Sequence, residues 1–218
     1  LFTSLDFSKW NTNMRENETR DTFKMIDQLF GFTNCFQRTH EMFDTSCIYL
    51  LNGSYLPTYH SGEFKPDLGL WKGHLGGIEG LRQKSWTIWT VALILLASED
   101  YLTTIRLMGQ GDNQVIREIY PPELKKARQL DIHRQFILKL NDILSYVGPP
   151  LKMEETWTSR DFFVYGKYLI WKGAPFPMYG KRICRMFRMS NEDFPTLEPT
   201  ISSLTANLSS ATAYSFDP

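Results

Sequence analysis

Asp112 stands in the run Gly109-Gln110-Gly111-Asp112-Asn113-Gln114-Val115, between two β-prone stretches, Thr104–Met108 and Gln114–Ile119. A Gly-Asp-Asn centre flanked in this way predicts a tight hairpin with a carboxylate at its tip. A second carboxylate, Asp6, ends another β-prone run, Phe2–Asp6. Two carboxylates on adjacent strands are the smallest protein contribution to a pair of divalent cations. Such a pair, roughly 3.5–4 Å apart, carries nucleotidyl transfer. Mg²⁺ or Mn²⁺ suits these hard oxygens, with phosphates and water completing the shell. The backbone carbonyl of Phe7 offers one more oxygen. The same run also fits a purely structural turn, because Gly, Asp and Asn are what a hairpin requires.

Between the two carboxylates lies Gly76-Gly77-Ile78-Glu79-Gly80-Leu81-Arg82-Gln83-Lys84. Gly76, Gly77 and Gly80 let a backbone run close to a bulky partner. Glu79, Arg82, Gln83 and Lys84 supply polar groups just ahead of an apolar helix. The segment suits a loop that holds a template backbone and a nucleotide, and equally a flexible surface loop. Lys167, at the tip of a predicted hairpin, could donate a proton to a leaving pyrophosphate, or simply be solvated. Lys181, Arg182, Arg185 and Arg188, interleaved with apolar residues, could grip phosphates or form an ordinary basic face.

The elements that must position these groups are legible in outline. Phe23, Ile26, Leu29 and Phe30 recur at helical spacing, with Gly31 as a stop. Phe36, His40, Phe43, Cys47 and Leu50 predict a second amphipathic helix, on which His40 reads as a satisfied core histidine. Gly53–Gly77 is a loop-rich connection, and Ser85–Ser98 a buried helix. Pro121 and Pro122 open a long helix to Val147, with Leu130, Ile137, Leu140, Leu144 and Val147 on its apolar face. Phe162–Tyr165 and Tyr168–Trp171 form a second hairpin around Gly166-Lys167, and Pro195–Ala213 a last helix. Helices mixed with antiparallel hairpins, without βαβ alternation, give an α+β class.

Composition narrows the partners. Lys+Arg and Asp+Glu both total 24 in 218 residues, so any nucleic-acid contact must come from local patches. Cys35, Cys47 and Cys184 are widely spaced and odd in number, which fits neither a disulfide framework nor a zinc site. The longest apolar stretch, Trp86–Ala97, falls short of the ~20 residues that span a bilayer, so no membrane insertion is expected.

In order, Leu1–Arg15, Gly76–Thr87 and Gly109–Val115 resemble motifs A, B and C of the large (L) proteins of non-segmented negative-strand RNA viruses, the Mononegavirales, with a rhabdovirus-like texture. Thr156–Trp171 is similar to the motif D region, and Pro177–Arg188 to motif E. The resemblance covers essentially the whole chain. It implies a polymerase palm, an antiparallel sheet with packed helices, plus part of the fingers of a right-hand polymerase. It further implies RNA-directed RNA synthesis for viral transcription and genome replication from NTPs. Asp6, Phe7 and Asp112 would hold two metal ions. Asn113 would stand where many polymerases carry a second aspartate.

Asn11 falls at the position that senses the ribose 2′-hydroxyl, although it also fits a cap on the following helix. Implied partners are RNA template and product, a viral phosphoprotein, nucleoprotein-coated RNA and the remaining L domains. The expected setting is the virion and host cytoplasm, or the host nucleus. A start at Leu1, inside a strand, reads as a fragment that would be inactive and poorly soluble when isolated. The rival reading is an L-derived sequence integrated in a host genome, RNA-binding or inert.

Overall fold

A computed structural model describes residues 1–50, 55–77, 80, 82–166, 168–176, 180, 183–184 and 196–213. The chain divides into two compact units, one of Leu1 and Thr3–Thr158, the other of Phe2 and Ser159–Pro218.

The first unit is organised by a sheet containing β1 (Phe2–Leu5), β6 (Thr104–Gln110), β7 (Asn113–Ile119) and β8 (Trp157–Ser159), in the order β6-β7-β1-β8. Three short ribbon strands, β3 (Thr58–His60), β4 (Glu63–Lys65) and β5 (Leu70–Lys72), follow β2 (Cys47–Tyr49). β2 pairs with β5 and β3 with β4, so the connection expected as loop carries strands of its own.

Helices α1 (Trp10–Asn13), α2 (Glu16–Leu29), α3 (Glu41–Thr45), α4 (Gln83–Ser98) and α5 (Lys126–Val147) complete this unit. The core joins Trp86, Ile94 and Ala97 of α4 to Phe136, Leu140 and Leu144 of α5, all 1% exposed or less. Ile116 of β7 and Leu5 of β1 close it from the sheet side. In the second unit β9 (Phe162–Tyr165), β10 (Tyr168–Trp171) and β11 (Ala174–Phe176) form an antiparallel sheet ordered β11-β10-β9, and α6 spans Leu197–Thr212.

The hairpins and most helices stand where the sequence pattern puts them, and three expectations need correction. The helix predicted from Phe36 to Leu50 breaks into a 3₁₀ turn (Gln37–His40), α3 and strand β2. The hydroxyls of Thr45 and Ser46 bond back to the carbonyls of Glu41 and Met42, and Ser46 turns extended. Such side-chain bonds compete with helix continuation, and Cys47-Ile48-Tyr49 then pairs with β5.

The long helix starts at Lys126 rather than at the prolines. Pro122 disfavours a helical conformation at Pro121, and a turn forms first, with Leu124 N–H donating to Pro121 O at 3.0 Å. Leu130 is 40% exposed although it lies one heptad before buried Ile137, and the buried face begins instead with Ile132 and His133. Phe136 fills the centre of that face, so Phe136→Ala is expected to lower stability by about 3–5 kcal/mol. Leu138→Ala, on the exposed side of the same helix, should stay within about 0.5 kcal/mol. Urea midpoints at unchanged slope measure both.

Candidate active site

The relation between Asp6 and Asp112 is fixed by backbone pairing. The Leu1 nitrogen donates to Glu118 O at 3.0 Å, and Glu118 N–H donates to Leu1 O at 2.9 Å. A residue pair exchanging both bonds defines an antiparallel ladder. Continuing that register sets Thr3 opposite Ile116 and Leu5 opposite Gln114, and brings Asp6 level with Asn113. The Asp6 end of β1 therefore lies beside the Gly111-Asp112 turn that joins β6 to β7.

On its other side the Asp6 segment is pinned to the chain after α5. Lys152 N–H donates to Asp6 O at 2.9 Å, Ser8 N–H to Pro150 O at 2.8 Å, and Asp6 N–H to Thr156 Oγ1 at 3.2 Å. Phe7 faces Leu151 in the bridge between these bonds, which leaves its own carbonyl outside that pairing. The Asp6 carboxylate is half-exposed, with Lys152 Nζ at 3.9 Å.

The hairpin tip is gripped from within. Gly111 takes φ +63°, and a Cβ there would overlap the Gln83 side-chain amide. Its N–H donates to Thr87 Oγ1 at 2.9 Å, and its carbonyl accepts Gln114 Nε2 at 3.0 Å. Asp112 and Asn113 are exposed, and Asn113 Nδ2 donates to Asp112 Oδ1 at 3.0 Å.

The glycine-bearing arm is tied to the Asp6 side. Gly77 N–H donates to Asn11 O at 3.1 Å, and a Cβ on Gly77 would overlap the Trp86 ring. Asn11 lies within α1, while the caps of α1 and α2 are Lys9 and Arg15 with no side-chain cap bond, so Asn11 is not a helix cap. Among the described residues its Oδ1 is buried and has no hydrogen-bond partner.

Arg82 is 4% exposed. Its guanidinium lies 3.6 Å from the Phe23 ring centroid, and Nη1 is 2.8 Å from His40 Nδ1. Burial lowers its pKa to about 10, against an opposing effect of Glu16, so it remains a cation at neutral pH. Burial, and then the charge of Arg82, hold His40 below the ordinary histidine range. Glu16, His40 and Asp44 bring possible metal-ligand atoms within 4.8 Å of one another. Accepting the Arg82 bond at Nδ1 puts the neutral ring's proton on Nε2, and Arg82 already supplies the positive charge, so His40 serves the arm rather than an ion.

The structure thus brings together Asp6, Phe7, Asn11, Gly76, Gly77, Gln83, Asp112 and Asn113. Gly80 and Lys84 are exposed beyond them. Glu79, Lys167, Lys181, Arg182, Arg185 and Arg188 lie outside the described residues. Sequence reasoning missed Thr87, His40 as the partner of Arg82, and Lys152. Only the Gly-Pro-Pro stop just before Lys152 hinted that the chain turns back there.

Residues 1–217 match the Mononegavirales RNA dependent RNA polymerase family. The chain belongs to this family. The RNA-directed RNA polymerase L of Lettuce big-vein associated virus is 41% identical over 95% of the chain. That of Lettuce necrotic yellows virus is 39% identical over 96% of the chain. The large structural protein of a rabies virus strain is 33% identical over 93% of the chain. The chain spans 11%, 11% and 10% of the length of these relatives.

A crystal structure of the RNA-dependent RNA polymerase of a human picobirnavirus, an insertion-loop deletion mutant, superposes with a TM-score of 0.62. It is 14% identical, over 96% of this chain and 38% of that one. This likeness bears on the fold, and it agrees with the α+β palm class. No helix among the described residues is long and apolar enough to cross a membrane.

The lowered pKa of His40 makes stability depend on pH. Its folded-state pKa lies below the unfolded value of ~6.5, so the unfolded chain takes up the proton first. Stability supplied by neutral His40 is complete above that value and is lost as pH falls through and below it. Thermal melts from pH 8 to pH 5 should show the native chain losing stability faster than His40→Asn. Parallel losses would contradict this placement of the ring.

Proposed function

We propose that this chain is the catalytic palm region of a viral RNA-directed RNA polymerase, which joins nucleoside triphosphates on an RNA template. The observation that carries the reading is the antiparallel pairing of β1 with β7, which sets the Asp6 strand end beside the Asp112 turn.

Asp6 and Asp112 are hard oxygen donors open to solvent, and with the Phe7 carbonyl they make a set that fits two Mg²⁺ or Mn²⁺ ions. When bound, the ions activate the attacking 3′-oxygen and neutralise charge on the leaving pyrophosphate. Asn113 orients the Asp112 carboxylate through its amide N–H and keeps an amide oxygen for a water or a metal. The buried, unpartnered Oδ1 of Asn11 is an acceptor for a ribose 2′-hydroxyl, the group that distinguishes RNA.

Gly76, Gly77 and Gly80 keep the arm slender beside the nucleotide, with Glu79, Gln83 and Lys84 meeting template or triphosphate. Arg82 acts from behind, through His40 and Phe23, as a support for that arm. Lys167 supplies the proton to pyrophosphate, and Lys181, Arg182, Arg185 and Arg188 bind RNA phosphates without sequence preference. A longer L protein, a phosphoprotein and nucleoprotein-coated RNA are the expected partners in the virion and host cell.

In a full-length polymerase carrying this sequence, Asp112→Ala is expected to abolish Mg²⁺-dependent primer extension while RNA binding stays within about twofold. Such a selective loss is what removal of a group acting only on the transition state produces. Substantial residual extension would exclude Asp112 as a metal ligand.

A further inference from the structure

We propose that Thr87 is a positioning residue that sets the metal-binding geometry of Asp112 from the first turns of α4. The proposal rests on the two-metal reading of Asp112 and assigns what holds that carboxylate in place. Thr87 Oγ1 donates to the Gln83 carbonyl at 2.7 Å, so its hydroxyl proton is committed within the helix. A lone pair is left to accept the Gly111 N–H at 2.9 Å. That single hydroxyl therefore orients the Gln110–Gly111 peptide, one peptide unit before Asp112.

The next peptide, Gly111–Asp112, is held through the Gly111 carbonyl, which accepts Gln114 Nε2. Gln114 is 1% exposed. Its amide is in close contact with Gly109, where a Cβ would lie 2.9 Å from Gln114 Oε1. The turn is thus anchored to its own strand by Gln114 and to a different element by Thr87.

That second anchor matters for function because α4 begins where the glycine arm ends. Gly77 sits under the ring of Trp86, the residue next to Thr87, and bonds to Asn11 O. The Trp86 ring in turn packs edge-on to Trp10, with centroids 5.8 Å apart. Asn11, the arm, the start of α4 and the Asp112 turn form one contiguous chain of contacts. A nucleotide engaging the arm bears on the carboxylate through Thr87.

The test is a Mg²⁺ titration of primer extension by the full-length polymerase carrying this sequence, with Asp112→Ala run in parallel. Thr87→Val keeps the shape and removes the acceptor. It is expected to raise the Mg²⁺ concentration for half-maximal extension about fivefold, the weight of one hydrogen bond. At saturating Mg²⁺ its KM for NTP should stay within about twofold, and Thr87→Ser should restore the native titration. A merely structural role would lower the melting temperature without moving the metal titration.

If Thr87→Val does not fold, Thr87→Cys, a weak acceptor of similar size, is read the same way. An unchanged Mg²⁺ midpoint in the folded variant, or a shift that Thr87→Ser fails to reverse, overturns the assignment. Extension surviving Asp112→Ala overturns the two-metal reading itself. Extension lost in Asp112→Ala, with no shift in Thr87→Val, overturns only the role of Thr87.

Discussion

Antiparallel pairing of β1 with β7 is the constraint on which the rest of the first unit depends. Side chains alternate across a sheet with a period of two, so a slip of one residue would turn Leu5 and Thr3 to the wrong face. The register is held by more than backbone bonds. Glu118, whose side chain is fully buried, accepts from Thr3 Oγ1 and the Tyr120 hydroxyl and lies 2.7 Å from His133 Nδ1. Thr158 Oγ1 stands 3.0 Å from His133 Nε2 and 3.1 Å from Thr3 Oγ1. The buried carboxylate thus ties β7 to β1 and α5, and Thr158 joins β8 to the same network. Leaving any member unpaired would expose the whole network to the penalty of a buried orphan group. Because the network fixes the strands at one end, the level of Asp6 against the turn at the other end follows.

The opposite end of the sheet is held by α4. Its Trp86, Thr90 and Trp89 reach α1 and α2, with Trp10 Nε1 donating to Thr90 Oγ1 and Trp89 Nε1 to Glu18 O. Its first turns reach Gly111 through Gln83 and Thr87. Arg82, at the junction of arm and helix, is a buried cation that, among the described residues, meets His40 and an aromatic face. That arrangement anchors the start of α4 to α2 and to the 3₁₀ turn that carries His40.

Much of this was readable in the residues, for identifiable reasons. The Gly111-Asp112 hairpin was legible because two β-prone runs flank a turn that needs a positive φ at glycine. α2 was legible from its period and the Gly31 stop, and α4 from its long apolar run Trp86–Ala97. The helix expected across Phe36–Leu50 was not, because its apolar spacing is real and what ends it is two hydroxyls bonding back to the backbone. Leu130 misled because heptad spacing says nothing of how far along a helix its partner extends. Of the site, the two carboxylates and the glycine arm could be named from motif order. Thr87, His40 and Lys152 could not, since each acts through a partner 24, 42 or 146 positions away.

In the proposed reading Asp6 and Asp112 share one pair of divalent ions. Anomalous scattering from Mn²⁺ in crystals of the polymerase with primer, template and a non-hydrolysable NTP tests it most directly. Two anomalous peaks within reach of both carboxylates, roughly 3.5–4 Å apart, are expected. Ions bound elsewhere, or at one carboxylate with the other remote, would contradict it.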